Sequence, residues 1–297
     1  MSNRGAVSVI LPTYNRAYCV ERTIDSVLAQ TFSNWELIIC DDASTDDTRL
    51  IAQSCCERDS RIHYHRNPQR YGLPRNRNTG ISLSEGELIY FIEDDVVIEP
   101  DCLEMLVNTL KELKARGISV GGVGTRSFEP PKQGKLMLLE RHVANQKRKK
   151  MNSPSSINKW TGLMYQNFAT DGRAVETALL PSWSLFARDA LSEIGGYEEK
   201  AYNRFNYSHE ETDVLVRLRK KGYKLYFQPR AVAHHKHEAR GGTRASPVRY
   251  YYYYVGAHII FLLRNFGWKS IYMIPACLFF LAYGVVKSIP VLITGRE

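Results

Sequence analysis

The chain predicts an α/β fold, with one Rossmann-like, mostly parallel sheet flanked by helices. Two observations carry that prediction. Short apolar runs alternate with helix-like stretches over the first 125 residues, and repeated strand–helix alternation builds parallel sheets covered on both faces. Two acidic clusters, Asp41-Asp42 and Glu93-Asp94-Asp95, follow directly on apolar runs. Ligands in such sheets sit beyond the carboxyl ends of the strands, which is where those acids fall.

Each element has its own signal. Val7 to Leu11 is a buried-strand run ended by Pro12. Ala17 to Ala29 has helical spacing, with Val20, Ile24, Val27 and Leu28 on one side. Glu36 to Cys40 is a second strand, and Thr45 is expected to cap a helix running to about Glu57. Ile62 to His65 reads as a third strand, Asn76 to Leu83 as a helix and Leu88 to Ile92 as a fourth strand. Asp101 to Arg116 is amphipathic, and Ser119 to Gly124 is a fifth strand. Residues 126–178 are polar, with Pro130, Pro131 and the run Lys147-Arg148-Lys149-Lys150, and read as a surface insertion. The alternation resumes with a strand at Trp183 to Phe186 and a helix at Asp189 to Ile194, ended by Gly195-Gly196. A helix at Thr212 to Lys221 ends at Gly222, and short strands follow at Leu225 to Phe227 and Ala231 to His234. The domain reading is an α/β body over 1–236 and a basic, Tyr-rich helical tail over 237–297.

Composition excludes several classes. The 297 residues are 44% hydrophobic and 24% charged, which is ordinary globular usage and not that of a disordered chain. Only one stretch is long and apolar enough to span a bilayer, so a polytopic membrane protein is excluded. The formal charge of +9 is unevenly placed. Residues 214–297 hold 14 Lys and Arg against Glu238 and Glu297 alone. The six cysteines form no CxxC pair and no zinc-finger spacing with histidine. They imply a reducing compartment, the cytosol, and the N-terminus carries no signal-peptide pattern.

The acids point to chemistry. Asp42 can accept N–H donors from a base or hydroxyls from a ribose; its structural alternative is an Asx-turn with a helix cap. Three adjacent acids at Glu93-Asp94-Asp95 repel one another, and a divalent cation offsets that cost. Mg²⁺ or Mn²⁺ prefers carboxylate oxygens and can neutralise a leaving diphosphate. Glu210 and Glu211 open a basic amphipathic helix, either as dipole-stabilised capping acids or with one as general base. The run His234-His235-Lys236-His237 follows the last strand and offers an imidazole to a metal.

Together these pieces resemble the family 2 glycosyltransferases of GT-A fold. The match runs in order through Val7-Ser8-Val9-Ile10-Leu11-Pro12-Thr13-Tyr14-Asn15-Arg16, Asp41-Asp42-Ala43-Ser44-Thr45-Asp46, Arg77-Asn78-Thr79-Gly80-Ile81, Glu93-Asp94-Asp95, Gly195-Gly196-Tyr197 and Glu210-Glu211-Thr212-Asp213. The resemblance implies that Pro12, Thr13 and Tyr14 form the loop against the nucleotide base and that Asp42 recognises the base, usually uracil. It places Arg77 near the base or diphosphate. Glu93 and Asp95 match the outer positions of a DxD motif, with Asp94 between them on the nucleotide side. Asp95 and His235 then hold Mn²⁺ or Mg²⁺, with His234 and His237 as rivals to His235. Glu211 matches the general base, where the family usually has Asp. The implied reaction is an inverting, metal-dependent transfer of a sugar from a nucleotide-diphosphate sugar, with UDP favoured.

The tail extends the reading to lipid. Residues 249–266 are rich in Tyr and Arg, which suit a membrane interface, and 271–293 is long enough to span or to lie in the membrane plane. The expected location is the cytoplasmic side of a membrane, peripheral or single-pass, with a glycan or polyprenyl-linked acceptor. Trp160, Trp183 and Glu210 are candidates for the acceptor side. Nucleic acid is not an expected partner, because an apolar run passes through the basic tail. Two rival functions are a sugar-1-phosphate nucleotidyltransferase and a non-catalytic membrane-anchored scaffold. The first needs a Gly-rich phosphate loop where Leu11-Pro12-Thr13-Tyr14-Asn15 stands.

Overall fold

A run of seven buried residues, Val7–Thr13, forms the central strand β1; a strand this apolar on both faces belongs inside a sheet. The computed structural model describes residues 6–128, 153–202, 209–236, 247–279 and 282. The first half follows the expected alternation: α1 (Val20–Leu28), β2 (Trp35–Asp41), α2 (Thr48–Arg58), β3 (Ile62–Arg66), α3 (Leu73–Leu83) and β4 (Leu88–Phe91). Next come β5 (Val96–Ile98), α4 (Cys102–Ala115), β6 (Val120–Phe128), β7 (Ser155–Ile157), β8 (Met164–Gln166) and β9 (Val175–Thr177). The chain continues through β10 (Ser184–Ala187), α5 (Arg188–Glu193), α6 (Glu210–Lys220), β11 (Lys224–His235) and α7 (Pro247–Phe266). A last helix, α8, covers 270–279.

The main sheet runs β3-β2-β1-β4-β10-β6-β11-β5, with β9 added on β11. The β3-β2-β1-β4 half is parallel, while β10 runs antiparallel between β4 and β6. This reversal matters for function. The amino end of β10 lies at the same edge of the sheet as the carboxyl ends of β1, β2 and β4. Loops from all four strands therefore meet on one side.

The core has two layers. Val7, Val9 and Leu11 face the side covered by α1, α2 and α4, where Val20, Ile24, Leu103, Leu106 and Leu110 are buried. Ile10, Ile38, Ile89 and Phe91 face the other side, against Leu191 of α5 and Val214, Leu215 and Leu218 of α6. The period-2 alternation of a strand sends one apolar set to each layer. A third cluster of Tyr202, Val216, Phe261, Leu262 and Met273 seats α7 and α8 on α6.

Several expectations are corrected. Thr45 does not cap α2; the helix begins at Thr48, whose N–H bonds to Asp46, while Thr45 donates to Asn15. The two short strands near 225–234 are one strand, β11, with an irregular register between Gln228 and Val232. Pro229 sits in that interruption, where a strand tolerates a residue with no N–H. The surface insertion is partly built into the body: β9 pairs with β11 and Phe168 is buried in the second core layer. Residues 129–152, with the basic run at 147–150, lie outside the described residues. Among the described residues no helix is long and apolar enough to cross a membrane. The candidate span 271–293 passes out of them after residue 279, with 282 alone described beyond.

Candidate active site

Three neighbouring strands deliver the acids. β2, β1 and β4 are adjacent, so Asp42, Tyr14 and Glu93 leave the sheet side by side. Pro12 and Thr13 are buried residues of β1 itself and not a loop; Tyr14 is the first residue past the strand. The guanidinium of Arg70 covers the Tyr14 ring at 4.1 Å. Asn15, Ala43 and His209 have positive φ values of 53°, 62° and 72°. All three flank the acid-bearing segments, and left-handed non-glycine residues concentrate at functional sites because the surroundings must hold them there.

Asp42 is engaged by the chain itself. Its carboxylate accepts from the backbone N–H of Tyr71 at 2.7 Å, of Gly72 at 2.8 Å and from the Asn67 amide at 3.0 Å. It thus pins the 67–72 loop against β2, with three of its roughly four acceptor positions filled. The neighbouring Asp41 is wholly buried and accepts from Ser44 N–H and the Tyr64 hydroxyl.

The second acidic cluster meets two partners, Arg16 and His235, and Asp95 touches both. Asp94 turns toward the β1–α1 connection, where Arg16 Nε lies 3.1 Å from it. Burial pushes the Asp94 carboxyl up to about 7, against the pull of Arg16. Glu93 and Asp95 meet His235, ligand atoms of the three lying within 4.8 Å of one another, while the second oxygen of Asp95 stays 3.4 Å from the Arg16 guanidinium. The register explains this. His235 pairs with Val96 in the antiparallel β11–β5 ladder, and Lys236 N–H donates to the Asp95 carbonyl. His235 Nε2 therefore stands 3.2 Å from Asp95 Oδ1. Strand alternation turns the rival His234 away to Glu99, at 2.7 Å, and His237 lies outside the described residues. Two carboxylates and one imidazole suit a cation of intermediate hardness such as Mn²⁺.

Arg77 joins the metal-competent group to the base candidate. It is buried, and its guanidinium meets Glu211 at 2.6 Å, Glu210 at 3.0 Å and Glu93 at 3.4 Å. The resemblance puts Arg77 near the base or diphosphate; in the structure its guanidinium is taken up by carboxylates. Burial alone would lower its pKa, but those three acids keep it firmly charged. Burial, with Glu211 beside it, pushes the Glu210 carboxyl up to about 8. Glu93 is pushed up to about 7 by burial and then by Glu211, against Arg77 and His235. Five carboxylates (Glu93, Asp94, Asp95, Glu210 and Glu211) face two guanidiniums, Arg16 and Arg77. That imbalance is what a divalent cation would relieve.

Glu211 has its second oxygen bonded to the Ser182 hydroxyl at 2.6 Å. Ser182 stands just before β10, whose reversed direction brings it to this edge. Trp183, expected on the acceptor side, is buried in the first core layer and packs edge-on against His235 at 5.1 Å. It orients an imidazole and offers no face to a sugar. Trp160 stands in the β7–β8 turn and packs on Tyr272 of α8. Sequence reasoning gave no role to Arg16 or Ser182. Arg16 closes the quoted opening motif, and a lone cation in a loop facing acids was its signal; Ser182 carried none.

Comparison with known proteins bears on the family and the fold. The sequence pattern described as glycosyl transferase family 2 matches residues 8–169, more than half of the chain. The chain belongs to glycosyl transferase family 2. It is 38% identical over 104 residues to the UDP-Glc:alpha-D-GlcNAc-diphosphoundecaprenol beta-1,3-glucosyltransferase WfgD of Escherichia coli, covering 35% of this chain and 40% of that protein. The chain thus spans well under half of that curated relative in the matched region. Among solved structures, the mannosyltransferase PcManGT from Pyrobaculum calidifontis, in complex with GDP-Man and Mn²⁺, superposes with a TM-score of 0.59 at 18% identity, over 97% of this chain and 73% of that one. TarS of S. aureus in complex with UDP-GlcNAc superposes with a TM-score of 0.58 at 16% identity, over 92% and 71%. The shared fold is GT-A.

Proposed function

We propose that the protein transfers a sugar, with inversion, from a nucleotide-diphosphate sugar to a hydroxyl of a lipid-linked or glycan acceptor. UDP-sugars are the favoured donors. The observation that carries this reading is that one guanidinium, Arg77, bridges Glu211 to Glu93, so a candidate base stands beside a candidate metal group.

The chain's own residues define the steps. Tyr14 and the Asp42-pinned loop offer a ring and an acceptor position to the base. Glu93, Asp95 and His235 would hold the divalent cation, which when bound neutralises charge on the diphosphate. Arg77 and Ser182 fix both oxygens of Glu211, so that carboxylate is held before the acceptor arrives. The acceptor hydroxyl attacks the anomeric carbon while its proton passes to Glu211. The bond to the diphosphate breaks with its electron pair leaving on the phosphate oxygen. Positive charge develops on the ring, as in other glycosyl chemistry.

The relative WfgD is named for UDP-Glc and a diphosphoundecaprenol acceptor. That name supports a UDP-sugar donor, a polyprenyl-linked acceptor and peripheral association with a membrane. Purified full chain, incubated with UDP-sugars, MnCl₂ and a polyprenyl-diphosphate sugar, should release UDP and form a glycolipid product. No transfer across a panel of donors and acceptors, with UDP binding intact, would favour the non-catalytic scaffold.

A further inference from the structure

Helix α8 turns its apolar residues both ways. Met273 and Cys277 face inward, 1% and 3% exposed, and Met273 joins the cluster on α6 and α7. The outward face is apolar as well. Ile271 is 76% exposed, Tyr272 37% and Leu278 43%, and Trp268, in the turn before the helix, is 72% exposed. Spacings of three, four and ten residues from Trp268 put these on one side. The tip of the β7–β8 turn adds Trp160, 61% exposed. Its ring lies 6.1 Å from Tyr272, and Trp268 lies 6.2 Å from the same ring. Two distant segments thus bring three aromatic rings to one exposed patch. Single exposed apolar residues are ordinary; a contiguous set marks an interaction surface.

The surrounding charge says what it meets. Lys159 stands by the Trp160 ring at 5.7 Å, and Lys269 is exposed beside Trp268. The described residues 247–279 hold Arg249, Arg264 and Lys269 and no Asp or Glu. A second copy docked on a twofold axis would bring like charges together. Anionic lipid headgroups would instead be attracted, and Trp and Tyr favour the headgroup level, where one end is apolar and the other wet. Because Met273 and Cys277 pack on the protein, this stretch has only one face for lipid.

We propose that Trp160, Trp268, Ile271, Tyr272 and Leu278 form a bilayer-docking surface on which the domain sits, with Lys159 and Lys269 on headgroup phosphates. The inference deepens the membrane-acceptor reading above and rests on it. It locates the contact on α8 and a loop of the catalytic body. Helix α7 packs under α8 and reaches His209, next to Glu210, so the docked face and the base belong to one packed unit.

Flotation of purified full chain with phosphatidylcholine vesicles, with and without 30% (about one third) phosphatidylglycerol, tests this. The full chain should float with the anionic vesicles, and its tryptophan emission should shift to the blue. The exposed triple variant Trp160→Ser/Trp268→Ser/Ile271→Ser should cut the bound fraction by about tenfold or more. The charge variant Lys159→Glu/Lys269→Glu should lose the preference for anionic vesicles. The thermal shift given by UDP with Mn²⁺ should be unchanged in both. Flotation of the triple variant at the level of the unmodified chain overturns the proposal. So does light scattering that shows a dimer lost in the triple variant with no flotation of the unmodified chain. Flotation that persists without any UDP response would count against the transferase reading and leave the docking surface standing.

Discussion

Arg77 donates a hydrogen bond to Glu211 across 2.6 Å, although 134 residues separate them in the chain. The contact ties α3, packed on β1 and β2, to the first turn of α6. It also explains how Glu210 and Glu211 share one helix terminus: Arg77 reaches both, at 3.0 Å for Glu210. The pairing predicts that Arg77→Met destabilises the fold by about 3–5 kcal/mol, because it leaves buried carboxylates with no cation. Arg77→Lys should regain much of that stability and little turnover, since an ammonium lacks the planar fork that reaches two carboxylates. Urea unfolding beside steady-state assays separates the two effects. A fully active, fully stable Arg77→Met would remove Arg77 from the site.

Glu211→Gln keeps the shape of the side chain and its place between Arg77 and Ser182. It removes the proton acceptor and one of the repelling charges. Turnover should fall by about 10²–10⁴-fold, the usual contribution of a general base. Stability should hold or rise slightly, and the donor KM should stay near its original value. A loss confined to donor KM would move Glu211 from the base to donor binding.

The two halves of the acidic cluster should behave differently toward metal. Asp95→Asn and His235→Ala each remove a ligand atom of the three-residue group. Titration calorimetry with Mn²⁺ and UDP should show affinity reduced by about tenfold or more for each. Asp94→Asn changes a residue outside that group, leaving Arg16 its contact with Asp95, and should leave Mn²⁺ affinity within a few-fold of normal. Equal losses in all three variants would contradict the split.

The fold was legible because its signals are local. The apolar run from Val7 to Leu11, broken only by Ser8, and the stripe of Leu103, Leu106 and Leu110 each declare an element without help from the rest of the chain. The glycines behaved as read: Gly195, Gly196 and Gly222 take φ values of +74°, +69° and +91° where helices end. The site was legible only as acids at strand ends. Which acid faces which partner depends on register: the β11–β5 pairing chooses His235 over His234, and no property of the tripeptide His-His-Lys contains that choice. Ser182 depends on β10 running backwards, and Arg77 on the packing of α3 against α6. Trp183 misled because a buried tryptophan and a sugar-stacking one have the same letter.

The pair His209 and His258 predicts a pH limit on stability. His258 Nε2 lies 2.9 Å from the Thr161 carbonyl, which only accepts, so Nε2 carries a proton. In the neutral ring Nδ1 is then bare and accepts from His209 Nε2 across 3.1 Å. His209 is closed in by Tyr254, His258 and Phe261 of α7. Burial holds both imidazoles below their ordinary pKa; a charge on His258 adds to this for His209, while the Thr161 carbonyl works against it at His258. Folded pKa values below the unfolded value of about 6.5 mean that the unfolded chain binds more protons once pH drops beneath it. This contribution to stability is therefore constant above about pH 6.5 and is lost as pH falls, by up to about 1.4 kcal/mol per pH unit for each excess proton. His258→Phe should cost about 1–3 kcal/mol at pH 8, by leaving the Thr161 carbonyl and the His209 N–H without their partner. The same variant should flatten the decline between about pH 6.5 and 5, because one of the two protons taken up on unfolding is gone. Urea midpoints across that range measure both effects; an unchanged slope would show that the pair is protonated in the folded protein and that its hydrogen-bond order is the reverse of the one drawn from Thr161.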